Sequence, residues 1–193
     1  MHTGTAVMSR IAVIGLGNVL MGDDAFGPHV AALLDGWFEW PEDVQPVELG
    51  TQGLDLTPYV RGVEALVVVS SIHRGDAPGT LHRLDRRAVM DRGLPEREPR
   101  LRCSPYEPGL RNLLLLLEVA GGAPRQVVVI GAEPESVELN GRLSTGVNAA
   151  LPRAVDGVLA VLRAWGVVPR ERAPRPLIFP WWETSPYTEA SGA

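Results

Sequence analysis

Asp23 and Asp24 stand side by side near the end of GLGNVLMGDDAFG, residues 15–27, directly after a short apolar run. Two carboxylates behind a glycine-rich turn suit three chemistries: bordering a phosphate cradle, holding a metal ion, or capping a helix. A dinucleotide fingerprint needs G-x-G-x-x-G, with open N–H groups at the helix start to receive a pyrophosphate. Gly15 and Gly17 fill the first two places, but the third falls on Leu20, and two negative charges at the helix start repel the ligand. Glu48 could imitate a ribose-binding acid and is too little to restore that reading. Asp24 also suits the N-cap of a helix starting at Ala25, where negative charge favours the positive end of the helix dipole. A capping carboxylate keeps one oxygen free, so cap and metal ligand are compatible roles.

Other reactive side chains are scattered. Ser70, Ser71 and His73 lie together, but the G-x-S-x-G elbow of serine hydrolases is missing, and neighbouring strand residues point to opposite faces. Cys103 has no base in its segment, and as the sole cysteine it excludes an internal disulfide and a thiolate zinc site. His82 falls on a strand whose alternation leaves it on the wet face. His2 is terminal and uninformative.

The elements that must position these groups alternate. Residues 11–15 read as a strand buried on both faces, 25–37 as a helix, 44–49 and 66–69 as strands, and 80–84 as a strand with one wet face. Residues 92–108 carry four prolines and many charges and read as an irregular loop. A helix is expected over 110–120, a buried strand over 127–130 and a long closing helix over 147–165. This order predicts a single α/β domain, its mostly parallel twisted sheet flanked by helices on both faces. Ligands of such sheets gather at the carboxyl ends of strands, so the loops after Ile14 and Val69 and the loop before Leu110 are the places to search. The domain is expected over residues 1–168. Residues 169–193 form an extended tail rich in proline and aromatic residues, whose Trp181 and Trp182 should pack, on the protein's own surface before any partner's.

Five stretches in order resemble the hydrogenase maturation endopeptidases. They are the G-L-G-N-x-L-x-G-D-D-x-x-G loop, Gly50-Thr51-Gln52-Gly53, Ala77-Pro78-Gly79-Thr80, Ser104-Pro105 with Gly109-Leu110, and Gly131 with Pro134-Glu135-Ser136. The resemblance covers about residues 10 to 165. It implies an enzyme that trims a C-terminal peptide from the large subunit of a nickel-iron hydrogenase after nickel insertion. The nickel belongs to that substrate, and no further cofactor is implied. It also implies three nickel-sensing side chains, which fall on Asp24, Ser70 and Tyr106. The family pattern has aspartate where Ser70 stands and histidine where Tyr106 stands.

Nickel(II) prefers deprotonated carboxylate oxygen or imidazole nitrogen, and a serine hydroxyl or a phenol of pKa about 10 is a poorer donor. His73 and Glu107 are neighbours that could complete a nitrogen-and-oxygen set with Asp24. A proteolytically inactive relative, acting as an assembly factor or structural partner of a hydrogenase, is the alternative expectation. An unrelated small-molecule binder using the glycine loop is a third.

Bulk properties narrow the partners. The net charge of −5 and the lack of a basic stripe argue against nucleic acid and anionic lipid. The longest apolar stretch, residues 113–117, is far too short to span a bilayer. Nothing at the N-terminus reads as a signal peptide, so the expected location is the cytoplasm.

Overall fold

The computed structural model describes residues 10–50, 56–91, 106–139 and 142–183. Its main sheet has five strands: β1 (Ile11–Gly15), β3 (Val44–Glu48), β4 (Ala65–Ser71), β5 (Leu81–Asp85) and β6 (Gln126–Ala132). They lie in the order β3-β1-β4-β6-β5. All neighbours run parallel except β5, which joins β6 antiparallel at the edge. The sheet is therefore mostly parallel, as the alternating pattern requires.

The central strands are apolar at nearly every position because both of their faces are covered. Val13, Val67, Val69 and Ile130 meet α1 (Phe26–Trp37) and α5 (Thr145–Ala164) on one face. Ile14, Leu66, Val68 and Val129 meet α4 (Tyr106–Val119) on the other, together with residues of α2 (Thr57–Val60) and α3 (Arg86–Met90). The alternation along β4 thus separates the two cores, residue by residue.

Chain direction locates the crevice. From β1 the chain crosses through α1 to β3 at one edge, then returns past β1 to β4 on its other side. The order reverses between β1 and β4, and the gap beyond their carboxyl ends is where open α/β sheets bind ligands. α1 comes unusually close to this gap. A Cβ on Gly27 would lie 2.3 Å from the carbonyl oxygens of both Leu16 and Val69, so only glycine lets the helix start settle over the two strands.

Two boundaries depart from expectation. A single 3-10 turn, Gly22–Ala25, precedes α1. Asp24 sits inside that turn and is not the helix N-cap; Ala25 holds that position, with no side-chain cap. α4 begins at Tyr106, four residues before the expected start, even though Pro108 lies in its first turn. Proline is tolerated there because the first helical N–H groups have no intrahelical acceptor.

The described part of the tail, up to residue 183, packs on its own domain. Arg170–Glu171 forms β7, antiparallel to β2 (Phe38–Glu39). The chain then runs back along α1: Trp37 Nε1 donates to the carbonyl of Pro176 at 3.3 Å, Arg175 lies 4.8 Å over the Trp37 ring, and Ile178 fills the space above Gly36. Trp182 ends the run edge-on to His29, at 5.3 Å between ring centroids. Trp181 remains mostly exposed.

Candidate active site

Gly17 opens the loop with φ +149°, and a Cβ there would stand 1.8 Å from the Asp24 carbonyl oxygen. The chain therefore folds back on itself without a side chain in the way. Asn18 Oδ1 accepts the Leu20 N–H at 3.0 Å, an Asx turn that reverses the backbone. The reversal aims the Asn18 N–H at Asp24 Oδ2, 2.8 Å away. Asp24 Oδ1 accepts from the Ser71 hydroxyl at 2.8 Å, the last residue of β4. A carboxylate is thereby fixed over the ends of β1 and β4, in the crevice that the topology defines.

Asp24 is only 4% exposed. Burial pushes its carboxyl above the ordinary aspartate value, and the hydrogen bonds from Asn18 and Ser71 only partly offset this. A buried acid with a raised pKa is held ready for a proton or a cation, and such groups gather at functional sites.

Asp23 does something different. Its Oδ2 accepts the N–H groups of Glu135 and Ser136 at 2.7 and 3.1 Å and the Ser144 hydroxyl at 2.9 Å, while Oδ1 accepts the Ser144 N–H at 2.6 Å. The Asp23 N–H in turn donates to the Ser136 carbonyl at 2.9 Å. One buried side chain ties the glycine loop to the segment after β6 and to the residue before α5. Nothing local in the sequence marks this role, because its partners lie more than 110 positions away.

Ser70 is buried near the end of β4, paired with Gly131 of β6. Strand alternation puts it on the α4 side of the sheet, whereas Ser71 faces the α1 side and Asp24. Tyr106 and Glu107 form the first turn of α4, and their side chains lie outside the described residues, as does Cys103 altogether. His73 turns toward Glu133, its Nδ1 3.1 Å from Glu133 Oε1. His82 is not on a wet face. Its side chain is 10% exposed and also faces Glu133, because His82 pairs opposite Gly131, two positions before Glu133 on the same face. Glu133 carried no signal in the sequence. Its importance comes only from the loops that close over it.

A carboxylate at the switch point of a doubly covered parallel sheet defines an α/β protein with a candidate ligand-binding crevice. The matches to known proteins agree with this class and narrow it. The model of the hydrogenase maturation protease family matches residues 28–161. Hydrogenase expression/formation protein HoxM of Cupriavidus necator is 34% identical over 163 residues, covering 84% of this chain and 78% of the relative. The hydrogenase 2 maturation protease of Escherichia coli is 32% identical over 165 residues, covering 84% of this chain and 97% of the relative. The solved structure of the hydrogenase maturating endopeptidase HybD from E. coli superposes with a TM-score of 0.74 at 30% identity, over 84% of this chain and 98% of that one. This chain belongs to the hydrogenase maturation protease family.

Proposed function

We propose that this protein hydrolyses a peptide bond near the C-terminus of a nickel-iron hydrogenase large-subunit precursor, with Asp24 as its contact to the nickel already seated in that substrate. The observation that supports this most is the placement of Asp24: buried, anchored by Asn18 and Ser71, and set in the β1–β4 crevice with its carboxyl pushed up. Hydrolysis requires a polarised carbonyl, a water that loses a proton, and a proton delivered to the leaving amine. The substrate's metal supplies the polarisation. Asp24 supplies an anionic oxygen on one side of it, and the family pattern assigns the other two positions to Ser70 and Tyr106, poorer donors than the aspartate and histidine it has there. Asn18 and Ser71 hold the Asp24 oxygens at fixed distances, so little reorganisation is needed when the precursor docks.

The test is incubation of the full chain with a nickel-loaded precursor, followed by mass measurement of the precursor's C-terminus. Shortening by the wild-type chain and none by Asp24→Asn is the expected outcome. A stable complex with an unshortened subunit would replace this reading with the assembly-factor role. The ligand assignment has its own test: Ser70→Asp combined with Tyr106→His should raise nickel affinity about tenfold or more, since carboxylate and imidazole replace two neutral hydroxyls. Unchanged affinity in the double variant would remove Ser70 and Tyr106 from the site.

A further inference from the structure

Glu133, immediately after β6, is 1% exposed and lies outside the Asp24 crevice contacts. Its two oxygens are held by main-chain donors: Oε2 accepts from Arg74 at 2.7 Å and Oε1 from Gly75 at 2.8 Å. His82 Nε2 faces the same carboxylate at 3.3 Å from Oε2, and it faces Asp76 Oδ2 at 3.6 Å. That nitrogen is buried and makes no hydrogen bond, and the same is true of His73 Nδ1. Among the described residues, Asp76, His82 and Glu133 are the one group of three such side chains whose ligand atoms all lie within 4.8 Å of one another.

The distances agree with shared coordination of one ion. A charge-assisted hydrogen bond between an imidazolium and a carboxylate is about 2.8 Å long. Two ligands on one tetrahedral ion cannot come that close. With bonds of about 2.1 Å, the edge of the tetrahedron is about 3.4 Å. The separations of 3.3 and 3.6 Å around His82 Nε2 fall on that edge. A carboxylate has about four lone-pair sites, and the main-chain N–H groups of Arg74, Gly75 and Asp76 leave one of them for a metal. Main-chain N–H groups gripping a carboxylate from behind are what orients a ligating residue in protein metal sites. Burial raises the Glu133 carboxyl, but the N–H groups of Arg74, Gly75 and Asp76 and the charge of His73 outweigh it, which keeps the group ionised at neutral pH. Asp76 is more than half exposed and forms the solvent side, an entry path for an ion.

We propose that Asp76, His82 and Glu133 form a second metal site, distinct from the Asp24 crevice, for a divalent ion of the zinc, cobalt or nickel class, with water completing the tetrahedron. One imidazole nitrogen with two carboxylate oxygens favours these ions over calcium and magnesium, which take all-oxygen sets. An ion there joins the loop after β4 to β5 and to the end of β6.

Isothermal titration of the full chain with Zn²⁺ and with Ni²⁺ tests the site, using Asp24→Asn as the parent so that the crevice contributes nothing. One equivalent of binding is expected in this parent. Asp76→Asn and His82→Gln, each added to it, should weaken binding by at least about 10- to 100-fold, the loss already usual when only a ligand's hydrogen-bonded partner is removed. Asp76 is exposed, so its asparagine variant keeps the fold, and an unchanged melting temperature without metal confirms that. Metal should raise the melting temperature of the Asp24→Asn parent and not that of the Asp76→Asn variant. No binding by the Asp24→Asn parent at about 1 mM metal, an affinity too weak for a resident ion, overturns the proposal. So does binding that neither Asp76→Asn nor His82→Gln weakens.

Discussion

Asp23 and Asp24 are chemically identical neighbours that the fold puts to opposite uses. Asp23 is saturated by four donors and holds loops together. Asp24 has two donors and spare lone pairs facing the crevice. Its carboxyl is raised by burial, so the folded protein pays for ionising it as pH climbs from the unfolded aspartate value, near 3.8, through the folded value. Stability contributed by the neutral form is complete below that window and lost above it. Asp24→Asn removes the cost while its amide still accepts from Asn18 and donates to Ser71. At pH 7 the variant should be more stable than the wild type, and the two should match near pH 3.5, below the window in which Asp24 ionises. Urea midpoints at the two pH values check this. A variant markedly less stable at pH 7 would make Asp24 a structural fixture.

At the scale of elements, three segments meet around one carboxylate. The glycine loop, the segment after β6 and the start of α5 are joined through Asp23, and Ser144 is bonded through both its N–H and its hydroxyl. Replacing Asp23 by alanine leaves buried N–H groups of Glu135, Ser136 and Ser144 without acceptors. Each orphaned donor costs about 1–3 kcal/mol, so Asp23→Ala should lose about 3 kcal/mol or more in chemical denaturation. Amide hydrogen exchange should quicken at residues 135, 136 and 144 before it does in the central strands β1 and β4. Uniform quickening across the sheet would mean that Asp23 supports the whole domain and not this junction.

At the scale of the whole molecule, the tail acts as a strap over α1. It is anchored at one end by β7 against β2, in the middle by Trp37 and Ile178, and at the far end by Trp182 on His29. Desolvation lowers the His29 pKa from 6.5 to about 4, so the ring is neutral when the strap is seated. Glu183 at 3.6 Å is half exposed and too distant to reverse this. The sign follows from linkage: stability is full above pH 6.5 and falls as pH drops toward 4, by about 3 kcal/mol in all. His29→Gln should flatten that part of the pH–stability curve. Trp182 fluorescence should report strap release in the same range in the wild type, and an identical acid profile in the variant would assign the loss to another group.

Much of the fold was legible because burial on two faces leaves its mark on every residue of a strand. Residues 11–15, 65–69 and 127–132 are apolar runs for that reason. The glycines of the loop are equally plain, since a close backbone approach admits no Cβ. Asp24 was legible as a carboxylate following such a loop, although its supposed role as a helix cap was wrong. A 3-10 turn looks in sequence like the start of any helix. The uses of Asp23, Ser71, His82 and Glu133 were not legible, because each depends on contacts with residues from 47 to 121 positions away, where no local pattern records them.

The order of residues by itself determined the layered α/β plan, the glycine turn and the position of an acid behind it, since these follow from periodicity and steric room along the chain. Tertiary structure alone decided which acid faces the crevice, which one binds the loops, and which histidines converge on Glu133. Desolvation and ligand geometry exist only after distant segments have closed around a group.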